Sequence, residues 1–538
     1  MINDDQYILY GPNEEYFINY QSLGEYLLDC LRKRDYDDII AVDPESEEQL
    51  TCGKLLEKSV RLATVLERMG VTKGDGIAIV SENNINYYIP ILASLYLGAI
   101  FNPLNVEYTY GELKHAIDLS KPKVIFSSFI SLRKILRLKE ECNYINEIVL
   151  MTQSLEVLDN IKTMESALQN VIVNVQDFRV DGVGLSDHAA LFMSSGTTGL
   201  PKCVGLSHGN FIGSLSVYRD PRYLNVSNDV TVSVIPFFHI YGFLTHISAV
   251  FCTLKVVLMK KLESELFLRA IKNYKCTRLF LVPTLLQYFV QNSKVNSDVL
   301  SSVKFIHITA AALGNTVYQA ALQKLKHITV IQMYGTTETA GACTVQKVTD
   351  NINTIGYLVP NIICKLVNPN THRTLRPFQY GELCFKGINV MKGYYNNPTE
   401  TCTAIDSDGF YHTGDVGYYN ENGQLFIIDR IKDIIKYKGF QVAPAELENL
   451  ILNHNKVQEC GVIGIPDEKA GELPLAFIVP KPGVKLSAEE IVKFVSENIS
   501  SQKHLHGGVK FVKKIPKTSS GKISRLLLRE IYNESIGQ

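Results

Sequence analysis

Between about residue 50 and residue 360, short β-branched or apolar runs alternate with longer helical patterns, and this alternation restricts the fold most strongly. The runs Gly76–Val80, Val124–Ser127, Glu147–Met151, Thr231–Ile235, Arg278–Val282 and Lys304–Ile308 read as strands. Gly53–Met69, Glu112–Ser120 and Glu263–Lys272 read as helices between them. Strand, helix and strand in succession build a parallel sheet with helices on both faces, so the expected class is α/β with doubly wound sheets. In such sheets the loops at the carboxyl ends of strands hold ligands.

After about Tyr380 the texture changes: Gly381, Gly387, Gly393, Gly409, Gly414, Gly417 and Gly423 punctuate a segment expected to be small and mainly β. A further unit opens near Asp429-Arg430-Ile431-Lys432. It carries the amphipathic helix Ala443–Asn453, strands Val457–Ile465 and Leu475–Val479, and the helix Ala488–Asn498. A chain of 538 residues is too long for one core. The expected division is an N-terminal region over 1–429 and a mobile α+β lid over 430–538, with a hinge near 429–432. The most membrane-like stretch, Tyr87–Phe101, contains Pro90 and Gly98 and falls short of the ~20 residues a span needs, so it reads as a buried helix.

A formal charge of −1 gives no reason to expect nucleic acid or an anionic membrane as partner. The run Arg32-Lys33-Arg34 is short enough to be a solvated helix end. Eleven cysteines without a Cys-x-x-Cys, and an acidic start at Met1–Asp5 lacking a secretory signal, point to reduced thiols in the cytoplasm. The final Ile536-Gly537-Gln538 is not a Ser-Lys-Leu-type peroxisomal address. A monomer or weak homodimer is expected.

The most informative segment is Ser194-Ser195-Gly196-Thr197-Thr198-Gly199-Leu200-Pro201-Lys202. Its glycines let backbone N–H groups turn inward, its hydroxyls add donors and Lys202 closes it with a cation: a nest suited to a polyphosphate. The spacing is not that of a Walker A loop. A flexible linker is the alternative, but apolar runs (Ala189–Met193 and Cys203–Leu206) flank the segment on both sides. Immediately after it, Gly205-Leu206-Ser207-His208-Gly209 matches the nucleophile elbow of α/β-hydrolases and makes Ser207 a rival candidate, that of a serine hydrolase. No Asp and His partners stand out for it, and Ser207 reads better as a helix N-cap.

Three further segments point the same way as the nest. Tyr334-Gly335-Thr336-Thr337-Glu338-Thr339 follows a strand and offers an aromatic face for a base, a hydroxyl for a phosphate and a carboxylate for a hard cation. Tyr411-His412-Thr413-Gly414-Asp415 sets a carboxylate on a tight turn, able to take both hydroxyls of a ribose. Pro516-Lys517-Thr518-Ser519-Ser520-Gly521-Lys522-Ile523 is a basic glycine loop leading into a helix.

Together and in this order, these segments resemble the adenylate-forming superfamily of acyl-CoA synthetases, plant 4-coumarate–CoA ligases and beetle luciferases. The likeness extends through Gly381-Glu382-Leu383, Gly393-Tyr394-Tyr395 and the block from Asp408 to Glu448, and Tyr10-Gly11-Pro12 resembles the insect luciferase-like branch. It implies ATP, Mg²⁺, coenzyme A and a small carboxylic acid as ligands. Ser194, Ser195, Gly196, Thr197, Thr198, Gly199 and Lys202 would then bind the β- and γ-phosphates. Tyr334, beside Gly335, would stack on adenine, Thr337 would touch the α-phosphate, and Glu338 with Thr198 would hold Mg²⁺. Asp415 and Arg430 would grip the ribose. Lys522 would offset the repulsion when a carboxylate attacks the α-phosphorus. Rotation of the small domain about Lys432 would then turn Lys436, Gly439 and Gln441 toward the site for thiol transfer.

His239, within Pro236-Phe237-Phe238-His239-Ile240-Tyr241-Gly242, matches the family histidine between acyl pocket and adenylate. Tyr241, Thr309, Ala310 and Ala311 fall in the expected acyl pocket. There the match weakens: Thr309-Ala310-Ala311-Ala312 stands where relatives commonly show Ser-Gly-Gly-Ala. Ser214 replaces an arginine that helps hold luciferin in beetle luciferases, and Cys203 replaces a frequent glycine. These departures count against luciferin oxygenation and leave adenylation untouched. The expected activity is an acyl-CoA ligase acting on an apolar acid, a medium- or long-chain fatty acid or an arylpropenoate. A luciferase is the alternative within the fold. A non-enzymatic acyl-binding protein is disfavoured, since every phosphate- and metal-facing position is filled.

Overall fold

The computed structural model describes residues 7–14, 20–151, 161–194, 201–311, 313, 315–348, 350, 354–438, 440–517 and 522–536. Within the large region, the biggest sheet has a parallel centre of Gly76–Val80, Ile100–Leu104, Pro122–Ser127 and Glu147–Leu150. These strands are near-continuous apolar runs because helices cover both faces; Ala78, Ile79 and Val80 are fully buried. His188–Ser194 joins this sheet in parallel and Lys202–Ser207 runs antiparallel to it, with Ser194 and Lys202 as register partners.

A second sheet pairs Ile39–Val42 with Lys255–Leu258 and Val230–Ser233, and a third runs Arg278–Leu281, Phe305–Ile308 and Thr329–Thr336 in parallel. Phe243 packs against the first sheet and a neighbouring helix, with ring centroids 5.2 Å from Phe101, 5.1 Å from Phe211 and 5.5 Å from Phe192. That cluster fixes the helices His208–Arg219 and Ile240–Phe251 against the strand ending at Ser194.

One expectation needs correction. The apolar stretch Tyr87–Phe101 is not one helix: Tyr88–Leu97 is helical, Gly98 turns at φ 64° and the strand Ile100–Leu104 follows. Glycine adopts that left-handed turn without a Cβ clash, and the N–H of Ala99 then closes on the Ser94 carbonyl at 2.9 Å. The glycine-rich segment after Tyr380 is mainly β, as expected, and its sheet draws in strands from elsewhere in the large region. Gly381–Gly387, Tyr411–Tyr419 and Leu425–Arg430 form one antiparallel sheet with Ile362–Val367 and the distant Leu9–Tyr10. A strand edge left unpaired would strand its backbone donors, and residues far away in sequence satisfy them.

The small C-terminal unit centres on the long hairpin Val457–Asp467 and Gly471–Pro480, extended by Gly508–Phe511 and by the short hairpin Ile435–Tyr437 with Phe440–Val442. Helices Pro444–Leu452 and Ala488–Asn498 pack on it through Leu447, Ile451, Ile491 and Val495, all fully buried. Among the described residues no helix is long and apolar enough to cross a membrane.

Candidate functional site

The strand Thr329–Thr336 delivers Tyr334 and Gly335 to its carboxyl end and folds back into Gly341–Val345. Only glycine fits at 335, where an added Cβ would lie 1.8 Å from the Gly341 carbonyl oxygen. The Tyr334 hydroxyl donates to Asp415 Oδ2 at 2.6 Å, and Arg430 Nε donates to Oδ1 at 3.1 Å. Asp415 and Arg430 are register partners on adjacent antiparallel strands, so the sheet itself sets this pair. Asp415 does not sit on the expected tight turn: it lies within the strand Tyr411–Tyr419, where the pairing register with Gly381–Gly387 shifts and Gly414 takes φ 71°, its N–H donating to Glu382 Oε1 at 2.9 Å. Thr337 lies half-buried in the turn after Tyr334, and its carbonyl accepts the Ala340 N–H at 3.0 Å.

Glu338 is buried and accepts the Tyr394 hydroxyl at 3.1 Å. Burial and that carboxylate push the Tyr394 phenol far up, so it stays a donor. The Lys202 ammonium is ion-paired with Glu400 and lies 4.9 Å from the Tyr394 ring centroid. Tyr394 therefore links the cation at the end of the phosphate loop to the buried carboxylate. Ser194 is the register partner of Lys202 and is buried. Ser195, Gly196, Thr197, Thr198 and Gly199 lie outside the described residues.

His239 precedes the helix Ile240–Phe251. Burial, and then the positive charge of Lys522, lower it to about 4, so the imidazole is neutral at pH 7. Lys522 itself is lowered to about 8 by burial and by Arg430, with Asp415 and Glu338 pulling the other way. Its surface keeps partial contact with solvent while its ammonium is densely surrounded, as befits a side chain reaching into a cleft. The structure thus brings Lys522, His239, Arg430, Asp415 and Glu338 together from five separate segments.

The other expected residues divide differently. Lys436 is exposed, and its backbone N–H donates to Glu472 Oε2 at 2.8 Å. Gln441 is its register partner on the neighbouring strand, with a side chain outside the described set, as is Gly439 altogether. Lys432 lies exposed on the turn between the two units. On the acyl side, Tyr241 is buried and its hydroxyl donates to the His307 carbonyl at 3.2 Å, which commits that group to the core. Thr309, Ala310 and Ala311 follow the strand Phe305–Ile308 and are half-buried; Ala310 takes φ 76°, a glycine-like conformation under a methyl group. Ala312 lies outside the described residues.

Ser207 is not an exposed nucleophile. It is buried at the N-cap of His208–Arg219, where its Oγ accepts the Asn210 N–H at 3.2 Å and its own N–H donates to Asn210 Oδ1 at 2.8 Å. This reciprocal capping box accounts for the residue and removes the hydrolase reading. Glu400 and the hydroxyl of Tyr394 were not singled out from sequence: their partners are 198 and 56 residues away, and no local pattern marks such pairs.

A large α/β domain whose buried carboxylates Glu338 and Asp415 lie near Lys522 of a smaller domain is the architecture of a two-domain α/β enzyme. The family model for AMP-binding enzymes matches residues 31–395, and that for the AMP-binding enzyme C-terminal domain matches 446–522. The chain belongs to the AMP-binding, adenylate-forming enzyme family. It is 37% identical over 539 residues to luciferin 4-monooxygenase of Photuris pensylvanica, covering 99% of each chain. It is 35% identical over 475 residues to 4-coumarate–CoA ligase 3 of Arabidopsis thaliana, covering 86% of this chain and 83% of that one. ATP-bound MatB of Rhodopseudomonas palustris superposes with a TM-score of 0.86 at 25% identity, covering 95% of this chain and 99% of that one.

Proposed function

We propose that the chain is an AMP-forming carboxylic acid–CoA ligase for an apolar acid. The observation that carries this is the placement of Lys522 beside His239, Arg430, Asp415 and Glu338. In the first half-reaction the substrate carboxylate attacks the α-phosphorus of ATP, the bond to pyrophosphate breaks, and acyl-AMP forms. Lys522 offsets the charge building between the entering oxygen and the phosphate. Neutral His239 can border both anions without adding a competing charge. Asp415, held by Tyr334 and Arg430, faces the ribose as an oriented acceptor. In the second half-reaction the thiol sulfur of coenzyme A attacks the acyl carbon, AMP leaves, and the thiol proton is released.

Glu338 suits a hard cation, because it is a buried carboxylate with an oxygen beyond the one Tyr394 occupies. Mg²⁺ held there would supply neutralisation of the polyphosphate. A domain division at 429–432, with a mobile lid, fits the exposed Lys432 turn. Eleven free cysteines suit a reducing compartment such as the cytoplasm.

Identity to luciferin 4-monooxygenases supports a second reading, formation and oxidation of luciferyl-AMP. Ser214, whose hydroxyl donates to the Asn210 carbonyl at 3.1 Å inside its own helix, offers that ligand no cation. Pyrophosphate release screened across fatty and aromatic acids, in parallel with luciferin and a light detector, separates the readings. Release with apolar acids and no light is expected; strong light with luciferin alone would defeat the ligase.

A further inference from the structure

Three residues beyond Lys522, Arg525 opens the C-terminal helix Arg525–Ile536. Its guanidinium is spent on three different elements. One nitrogen donates to both oxygens of Glu448, at 2.9 and 3.1 Å, on the helix Pro444–Leu452. Nε donates to the Val462 carbonyl at 3.3 Å, on the central hairpin. The third nitrogen lies 3.7 Å from Asp433, in the turn between the two domains. Glu448 also accepts the Val462 N–H at 2.9 Å, so the pair is saturated and nearly buried. On the other side of the same turn, Asp429 accepts the N–H of Ala445 at 2.8 Å and that of Arg430 at 2.8 Å. Arg430 in turn reaches Asp415. The loop carrying Lys522 is closed by a bridge between Lys517 and Ile523 and by the Ser524 N–H on the Pro516 carbonyl at 2.9 Å.

We infer that Arg525 is a positioning residue for adenylation: its fork on Glu448, Val462 and Asp433 fixes the Lys522 loop and the interdomain turn in one body, with Lys522 in the cleft. A point-charge lysine cannot reach Glu448, the Val462 carbonyl and Asp433 at the same time. This rests on the ligase reading, in which Lys522 serves the first half-reaction only.

The test measures the two half-reactions separately in Arg525→Ala, Arg525→Lys and Glu448→Gln, with Lys522→Ala as control. Displacing a reacting group by about 1 Å can cost on the order of 100-fold. Acyl-AMP formation should therefore fall at least about tenfold in Arg525→Ala and less in Arg525→Lys. Thioester formation from supplied acyl-AMP should stay within a few-fold of wild type. The alkaline fall of kcat/KM for ATP, set by Lys522 at about 8, should move upward as that ammonium loses its burial. Glu448→Gln keeps the side chain's shape while removing the charge and one of the two acceptor oxygens, and should show the same split should Arg525→Ala not fold. Equal loss of both half-reactions, or an unmoved alkaline limb, would overturn the inference. Unimpaired adenylation in Lys522→Ala would instead overturn the ligase reading beneath it.

Discussion

Lys522 and Lys436 belong to the same small domain and meet opposite fates. Lys522 lies in the cleft among groups from the large domain, with its ammonium lowered to about 8. Lys436 stands exposed on a short hairpin, its backbone N–H donating to Glu472. If both serve one pocket, they serve it in turn, and the structure holds the arrangement suited to adenylation. The contrast teaches that a lysine's charge here is set by the groups the fold packs around it.

The largest expected effect separates the two lysines. Lys522→Ala should lower acyl-AMP formation by ~10²–10³, the usual loss when one charge-stabilising donor is removed. Thioester formation from supplied acyl-AMP should survive. Lys436→Ala should do the reverse, slowing thioester formation by roughly 10–10² with adenylation near normal. A parallel loss of both activities in either variant would erase the division of labour.

Next comes pH. Lys522 carries its charge below about 8 in the folded chain, against 10.5 when unperturbed. The kcat/KM for ATP, which reports the free enzyme, should fall about tenfold per pH unit above that value. Lys522→Arg should flatten the fall, since a guanidinium stays charged. Stability runs the other way. A depressed lysine disfavours the folded state while it is charged, so the cost is complete below about 8 and is relieved as pH rises toward 10.5. Activity and melting temperature diverging over that window is the signature to seek.

The smallest effect concerns the acyl wall. Ala310 at φ 76° carries a Cβ where glycine is at ease. Ala310→Gly should change stability by no more than ~1 kcal/mol, because relief of strain is offset by a freer unfolded chain. Thermal melts check this, and a loss of several kcal/mol would mean the methyl is a packing element.

Much of this was legible in the sequence. The alternating strands and helices announced the α/β class, because strands buried on both faces must be continuously apolar, as Ile77–Val80 is. Of the motif residues, Glu338, Asp415 and Lys522, far apart in sequence, come together in the fold, whereas 195–200 lie outside the described residues. What stayed hidden depended on long-range pairing. Nothing near Leu9–Tyr10 predicts its partner strand Ile362–Val367, and nothing near Glu400 predicts Lys202. Arg525 looks like any basic residue opening a helix, until folding sets Glu448, Val462 and Asp433 around it. Ser207 shows the converse: a local pattern with two readings, decided by Asn210 three residues on.

The central claim is transfer of the activated acyl group to coenzyme A. Its most direct test is to incubate the enzyme with ATP, Mg²⁺, coenzyme A and an apolar acid found active by pyrophosphate release, and to quantify acyl-CoA and AMP in the same sample. Ligation predicts acyl-CoA and AMP in equal amounts, with AMP formation dependent on coenzyme A. Accumulating acyl-AMP, or AMP released while coenzyme A stays unacylated, would contradict it.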